Sequence, residues 1–268
     1  MTTDEMDRTL RQLRLGGMAD SLTVRAQQAR AESLGPIDFM GLLLHDEMER
    51  RRDHLVERRI KEADFRDRKT LDTFSWSFNR IDRALIFELA TGKFIERHED
   101  LLMLGNAGVG KSHIAQALGM AAVHAGFRVL YREAHRLFED IVLATASGTR
   151  SALIAKLSLA SLLVIDDLGM RKLPASAAED LLEIIMRRYE RASTIITSNR
   201  PLEDWPKLFG DTPGVTAFLD RLMHHSHLIE IRGKSYRLYE SSQNARQRRG
   251  SATSRDDAAA RSALVEEV

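Results

Sequence analysis

The sequence predicts an α/β protein: a parallel sheet flanked by helices, preceded by an all-α N-terminal domain. Three observations carry this prediction. Short apolar runs, LLML at 101–104, LLVID at 162–166 and STIITSN at 193–199, alternate with amphipathic stretches of helical period. Strands with no polar alternation are those buried on both faces, as in a parallel sheet under helices. A glycine-rich loop, GNAGVGKS at 105–112, stands between the first apolar run and a helical stretch. Finally, residues 4–65 lack the alternation and read as helices rich in Arg and Glu.

Composition sets the limits. The chain has 268 residues, of which 43% are hydrophobic, enough for one medium domain and something smaller. A net charge of +1 gives no global basic field, so any contact with nucleic acid must come from local clusters. The absence of cysteine excludes disulfides and thiolate-bound zinc. The charged opening MTTDEMDRTLRQLRL has no signal-peptide core. No apolar run approaches the roughly 18 residues of a membrane span. A soluble cytoplasmic protein without a membrane partner is expected.

Taken in order, residues 1–67 form the expected helical domain. Leu10, Leu13, Met18 and Leu22 recur at helical spacing, and Pro36 with Asp38 marks the start of a long helix that turns densely charged. Residues 68–79 (KTLDTFSWSF within them) break the pattern and read as a linker. Residues 80–242 carry the alternation: strand 101–104, helix 112–125 stopped by Gly126, strand 128–133, strand 162–166, helix 176–190, strand 193–199 and strand 227–233. Ser176 and Glu179 predict a capping box on the fifth of these elements. Residues 243–268 are polar and alanine-rich and read as a disordered tail.

The loop fits G-x-x-x-x-G-K-[ST] as Gly105, Gly110, Lys111 and Ser112. Glycines let the main chain curl so that successive N–H groups converge on a phosphate, and the helix behind adds its positive end. Lys111 supplies an ammonium to the β- and γ-phosphates, and the Ser112 hydroxyl is a Mg²⁺ ligand. Gly105, Asn106, Ala107, Gly108, Val109, Gly110, Lys111, Ser112 and His113 are therefore the candidate nucleotide-binding set, with ATP and Mg²⁺ as cofactors. Asp166, ending the 162–166 strand, is the second candidate Mg²⁺ ligand. Asp167 is placed to prepare the attacking water. Asn199 follows another buried strand, and in such sheets the carboxyl ends of strands gather where ligands bind, so it is a candidate γ-phosphate sensor. Phosphoryl transfer also needs cations on the developing charge, for which Arg200, Arg221 and Arg237 are candidates. Arg221, near the end of a helix before the last strand, can project into a neighbouring subunit. Paired with Asp220, it is equally a surface arginine. His224, His225 and His227 have no evident acidic partner and predict no metal site.

Together, LRLGGMADSL, FMGLLLHDEMERR, KTLDTFSWSF, LLMLGNAGVGKSHIAQALG, LLVIDDLG, RRYERASTIITSNRPLEDWPKLFGD and LDRLMHHSHLIEIRGKSYRL resemble the IstB-type transposition helper ATPases of bacterial insertion sequences. The resemblance runs from about residue 8 to 240. More distantly the chain is similar to DnaC-type helicase loaders and the AAA+ superfamily. The resemblance implies an AAA+ core, here without a full lid domain because only a polar tail follows the last strand. It implies a DNA-stimulated, slow ATPase that assembles as a homo-oligomer on double-stranded target DNA, remodels it, and recruits and stimulates a transposase. It also implies that Arg221 is an arginine finger acting in trans, and that the N-terminal helices serve partner binding and self-assembly. Two departures stand out: Asp167 where the superfamily often has Glu, and Lys234 where an acid is common.

Contacts with DNA are the least determined. Arg50, Arg51, Arg52, Arg58, Arg59 and Lys61 are interleaved with Glu49, Asp53, Glu57 and Glu62, the pattern of a solvated helix face with i,i+4 pairs. Arg171 and Lys172, in the loop after the Mg²⁺ strand, are alternative backbone contacts. A DnaC-like loader of a replicative helicase is the alternative function. An ATP-binding DNA-bending scaffold that barely hydrolyses and a small-molecule kinase are more distant alternatives.

Overall fold

The computed structural model describes residues 2–210 and 213–243. The chain divides into one unit through Glu62 and another from Ala63 onward. The expected tail lies, past residue 243, outside the described residues.

The first unit is helical: α1 (Thr3–Gln12), α2 (Gly16–Ala31) and α3 (Pro36–Ala63, reaching the unit boundary). A capping box opens α1, with Glu5 N donating to Thr2 Oγ1 at 3.2 Å and Thr2 N donating to Glu5 Oε2 at 2.8 Å. Arg14, at φ 58°, then turns the chain. That turn corrects the apolar pattern read from sequence. Leu10, Met18 and Leu22 share a small core with Leu43, whereas Leu13 caps α1 and is 63% exposed. The α2 start has no side-chain cap of its own. Glu47 of α3 supplies one instead, accepting from Gly17 N at 2.6 Å and Met18 N at 3.3 Å. Only glycine fits at 17, since a Cβ there would lie 2.7 Å from Glu47 Cα. Arg25 grips Asp46 through two bonds of 2.8 and 2.7 Å and holds that carboxyl down at about 2. The basic run of α3 is partly paired at i,i+4, through Arg51–Glu47 at 2.6 Å and Arg58–Glu62 at 3.9 Å. Along the same helix Ile37, Met40, Leu44 and Met48, three to four residues apart, are exposed.

The second unit begins with an irregular stretch and the short helices α4 (Arg83–Ala90) and α5 (Lys93–Glu96). It then alternates: β1 (Asp100–Gly105), α6 (Lys111–His124), β2 (Val129–Glu133), α7 (Ala134–Ala146), α8 (Arg150–Ser158), β3 (Leu162–Leu168), α9 (Ala177–Arg188), β4 (Ser193–Ser198), α10 (Trp205–Leu208), α11 (Pro213–His224) and β5 (Ser226–Ile231). All five strands are parallel, in the order β2-β3-β4-β1-β5. The apolar runs that predicted buried strands are buried: Leu101, Leu102, Met103, Leu163, Val164, Ile165, Ile195 and Ile196 are each 0% exposed. Residues 236–243 form a last helix. Among the described residues no helix is long and apolar enough to cross a membrane.

The capping box expected at Ser176 does not form. Ser176 has helical dihedrals, φ −80° and ψ −4°, and its side chain makes no cap bond. A capping serine needs an extended backbone to aim its oxygen at the first free N–H groups. Here a turn through Pro174, whose carbonyl accepts from Ala177 N at 3.0 Å, has already set the chain in a helical conformation.

At the amino end of β1, Asp100 is buried near Arg188. Asp100 Oδ1 accepts from Thr194 N at 2.6 Å, while Arg188 Nη1 donates to the carbonyls of Leu157 and Ala160 at 2.7 and 2.8 Å. Burial outweighs their mutual attraction, pushing Asp100 up to about 6 and Arg188 down to about 10. A carboxyl raised in the folded state favours folding most when protonated, and that benefit is lost as pH rises from the ordinary carboxylate range to about 6. Asp100→Asn keeps the acceptor for Thr194 N without the charge. Urea unfolding should therefore show the variant gaining on wild type by roughly 2–3 kcal/mol between acid pH and neutrality, most of it below pH 6.

Candidate functional site

The order of the strands puts β1 between β4 and β5, with the carboxyl ends of all strands at one rim. The chain leaves β1 there through the glycine loop and re-enters as α6. Gly105 and Gly110 take φ of 149° and 111°. A Cβ would stand 2.2 Å from Ile231 O at the first and 2.6 Å from Phe74 Cε2 at the second, so the curl is closed to other residues. Lys111 is 5% exposed and folds back over its own loop, Nζ donating to Gly105 O at 2.7 Å and Asn106 O at 2.9 Å. Burial lowers its pKa, against the pull of Asp167 and Asp166. Ala107, Gly108, Val109, Gly110, Lys111, Ser112 and His113 all line one cavity of about 400 Å³. Asn106 contributes its carbonyl to Lys111, and Val109 O accepts from Asn79 Nδ2 at 3.0 Å.

The two acids differ sharply. Asp166 is 0% exposed, receives Tyr131 Oη at 2.7 Å on one oxygen and the Thr197 hydroxyl on the other. Asp167 lies in a register shift of the β3–β4 pairing, at φ 59°, with its N–H donating to Thr197 Oγ1 at 2.9 Å. Its carboxylate lines the cavity and is pushed up by burial and then by Asp166, while Arg66, Lys111 and Arg237 pull it down. Asn199 lines the same cavity. Its Oδ1 is buried without a hydrogen-bond partner, which leaves a polar atom to be satisfied by whatever enters. Curled amides, a buried ammonium, an orphaned amide oxygen and cavity-facing Ser112 and Asp167 fit a nucleoside triphosphate. A hydroxyl and a carboxylate, as on Ser112 and Asp166, are oxygen donors of the type magnesium takes, and of the two Ser112 lines the cavity.

Residues 66–79, expected to be the end of the helical domain (through 67) and a linker (68–79), also contribute to the cavity. Arg66 Nη1 reaches Glu133 Oε1 at 2.9 Å and Asp167 Oδ2 at 3.6 Å. Asp67 N donates to Gln116 Oε1 at 2.8 Å. His113 Nε2 lies 2.9 Å from Thr70 O, with its ring against Phe74. Asn79 bridges the loop to residue 234, donating to Val109 O and Lys234 O and accepting from Lys234 N, all main-chain groups. Hydrophobic periodicity carries no signal for such a strap. The aromatic residues of TFSWSF were the available one.

Arg237 lines the cavity, whereas Arg221 does not. Arg221 is exposed, 3.1 Å from Asp220 and over the Tyr189 ring at 5.5 Å. For the histidines the structure corrects one point: Glu190 lies beside His224 and His225, their ligand atoms within 4.8 Å of one another, all three exposed. That acid is distant in sequence. His227 pairs instead with Glu99 at 2.9 Å.

Residues 8–244 match the family model described as IstB-like ATP binding protein. The chain is 37% identical over 237 residues to the ATP-binding protein of insertion sequence IS21 from Pseudomonas aeruginosa, covering 88% of this chain and 89% of the relative. It is 35% identical over 229 residues to that of IS5376 from Geobacillus stearothermophilus, covering 85% and 91%. A solved DnaC helicase loader superposes with a TM-score of 0.52 at 25% identity, over 61% of this chain and 96% of the loader. The core is thus that of AAA+ proteins, as the sequence predicted.

The Thr197 hydroxyl gives one bond to Asp166 and takes one from Asp167 N. Thr197→Val keeps the shape and loses both. Differential scanning should register a loss of about 2 kcal/mol, and ATP turnover should fall with little change in nucleotide affinity.

Proposed function

The chain belongs to the family of IstB-like ATP binding proteins of insertion sequences, and from that membership we propose a transposition helper ATPase that uses ATP to assemble on double-stranded DNA and engage a transposase. The single observation that carries hydrolysis is the convergence on one cavity of the phosphate loop, Asp167 and an unsatisfied Asn199. Gly105 to His113 bind the triphosphate through main-chain N–H groups, and Lys111 exchanges two loop carbonyls for phosphate oxygens. Ser112 and Asp166 would hold Mg²⁺, which would supply positive charge against the phosphates. Asp167 accepts the proton of the attacking water, and Asn199 orients that water against the γ-phosphate. Arg237 adds a cation within the subunit. Arg221 lies outside its own cavity and is exposed, which supports a role in the site of a neighbouring copy.

The exposed apolar stripe Ile37, Met40, Leu44 and Met48 supports the reading of the N-terminal helices as a docking module. The helicase-loader reading draws on the likeness to DnaC, which covers 61% of the chain, whereas the insertion-sequence relatives extend through the helices as well. Capture by a transposase rather than a replicative helicase in a pull-down distinguishes them.

Size-exclusion chromatography tests assembly. Wild type with ATP and duplex DNA should run as a large particle and lose it when either is omitted. Arg221→Ala should bind ATP as wild type does yet turn it over about a hundredfold or more slowly. Lys111→Ala should lose nucleotide affinity itself. A Lys111 variant with full affinity and turnover sinks the reading.

A further inference from the structure

A second cleft, of about 520 Å³, opens beside the nucleotide cavity, between residues 172–175 and 204–210. Its charged lining is Lys172, Arg200, Lys207 and Asp204, three cations against one acid. The three cations are exposed, and among the described residues none has an ion pair. Unpaired cations on converging loops in an otherwise near-neutral chain make this cleft locally positive, with Pro174, Leu208 and Phe209 also lining it.

Its place in the fold gives it a purpose. Asn199 lines the nucleotide cavity and the next residue, Arg200, lines this cleft. Ser198 Oγ donates to Leu168 O at 2.7 Å and accepts from Arg200 N at 3.1 Å, tying the arginine to the residue after Asp167. Gly169 rests on the stem of that arginine, since a Cβ there would meet Arg200 Cγ at 3.1 Å and Leu208 Cδ2 at 2.8 Å. Lys172 lies only five residues beyond Asp167. Both edges of the cleft are therefore anchored to the strands that carry the nucleotide-facing residues.

We propose that Lys172, Arg200 and Lys207 grip the phosphodiester backbone of DNA, and that Arg200, joined to Asn199, makes this grip depend on the bound nucleotide. This rests on the reading of the chain as a DNA-assembling ATPase and supplies the contact surface that reading lacks. Backbone phosphates carry no base information, so the grip is indifferent to sequence and weakens with salt. Arg171, expected beside Lys172 from the sequence, does not line the cleft.

The test is fluorescence anisotropy of two unrelated labelled duplexes with the full chain and a non-hydrolysable ATP analogue, across a KCl series. Lys172→Ala and Lys207→Ala should each weaken both duplexes equally and reduce the slope of log K against log[KCl] by about one, and the double variant by about two. Binding of a fluorescent ATP analogue and the Tm should stay as in wild type. Arg200→Ala should abolish the difference in DNA affinity between analogue-bound and nucleotide-free protein. If wild type binds DNA and the lysine variants keep its affinity and salt slope, this inference falls while the functional reading stands. If wild type binds neither duplex, both fall.

Discussion

One constraint underlies the site: an ammonium is buried with no carboxylate in contact with it. Lys111 is held by two carbonyls of its own loop, and burial already depresses its pKa. Burying a cation without a countercharge is unfavourable unless something anionic completes it. Asp166, the nearby fully buried acid, is already engaged by Tyr131 and Thr197, and Asp167 is drawn toward Arg66. The protein thus leaves the lysine with no carboxylate in contact, although Asp167 and Asp166 act on it from a distance. A phosphate is the kind of anion that would complete the buried ammonium.

The acids follow from a second economy of geometry. β3 and β4 keep regular parallel register until Ile165, slip, and resume at Leu168. Thr197 spans the slip, bonded to Asp166 on one side and to the amide of Asp167 on the other. Asp167 adopts a left-handed backbone there, a conformation that aspartate tolerates better than most residues. Two adjacent acids therefore face different surroundings, one locked in the sheet and one in the cavity wall. A regular strand would also separate them onto opposite faces, but it would not tie the second to the first through a single hydroxyl.

How much of this was legible follows from which signals are local. The strands were legible because burial on both faces removes polar residues from every position of Leu101–Leu104 and Leu162–Ile165. The phosphate loop was legible because its glycines are dictated by contacts as close as 2.2 Å. Leu13 and Ser176 misled because each was judged by spacing alone, while the backbone had already turned at Arg14 and Pro174. Arg66, Phe74 and Asn79 were invisible as site residues. Their positions depend on a stretch with no periodic structure, anchored by Gln116, His113 and Val109, partners 30 to 49 residues away. Glu190, facing His224 and His225, was hidden for the same reason.

That strap also bears on the shorter acid at 167. An aspartate reaches less far than a glutamate, so its carboxylate depends more on what fixes the backbone and what holds the oxygens. Thr197 fixes the backbone from β4, and Arg66 stands 3.6 Å from Oδ2 from the strap. Arg66 is also bonded to Glu133 at the end of β2, so it is positioned between two strand ends and not by Asp167 alone. The cavity therefore draws on β1, β2, β3, β4 and the strap. Of these, β4 and the strap reach Asp167 directly, through Thr197 and Arg66. Arg66, Lys111 and Arg237 together pull the Asp167 carboxyl down against burial and the charge of Asp166. The strap, which begins where the helical unit ends, is in that sense part of the nucleotide site and not a tether to it.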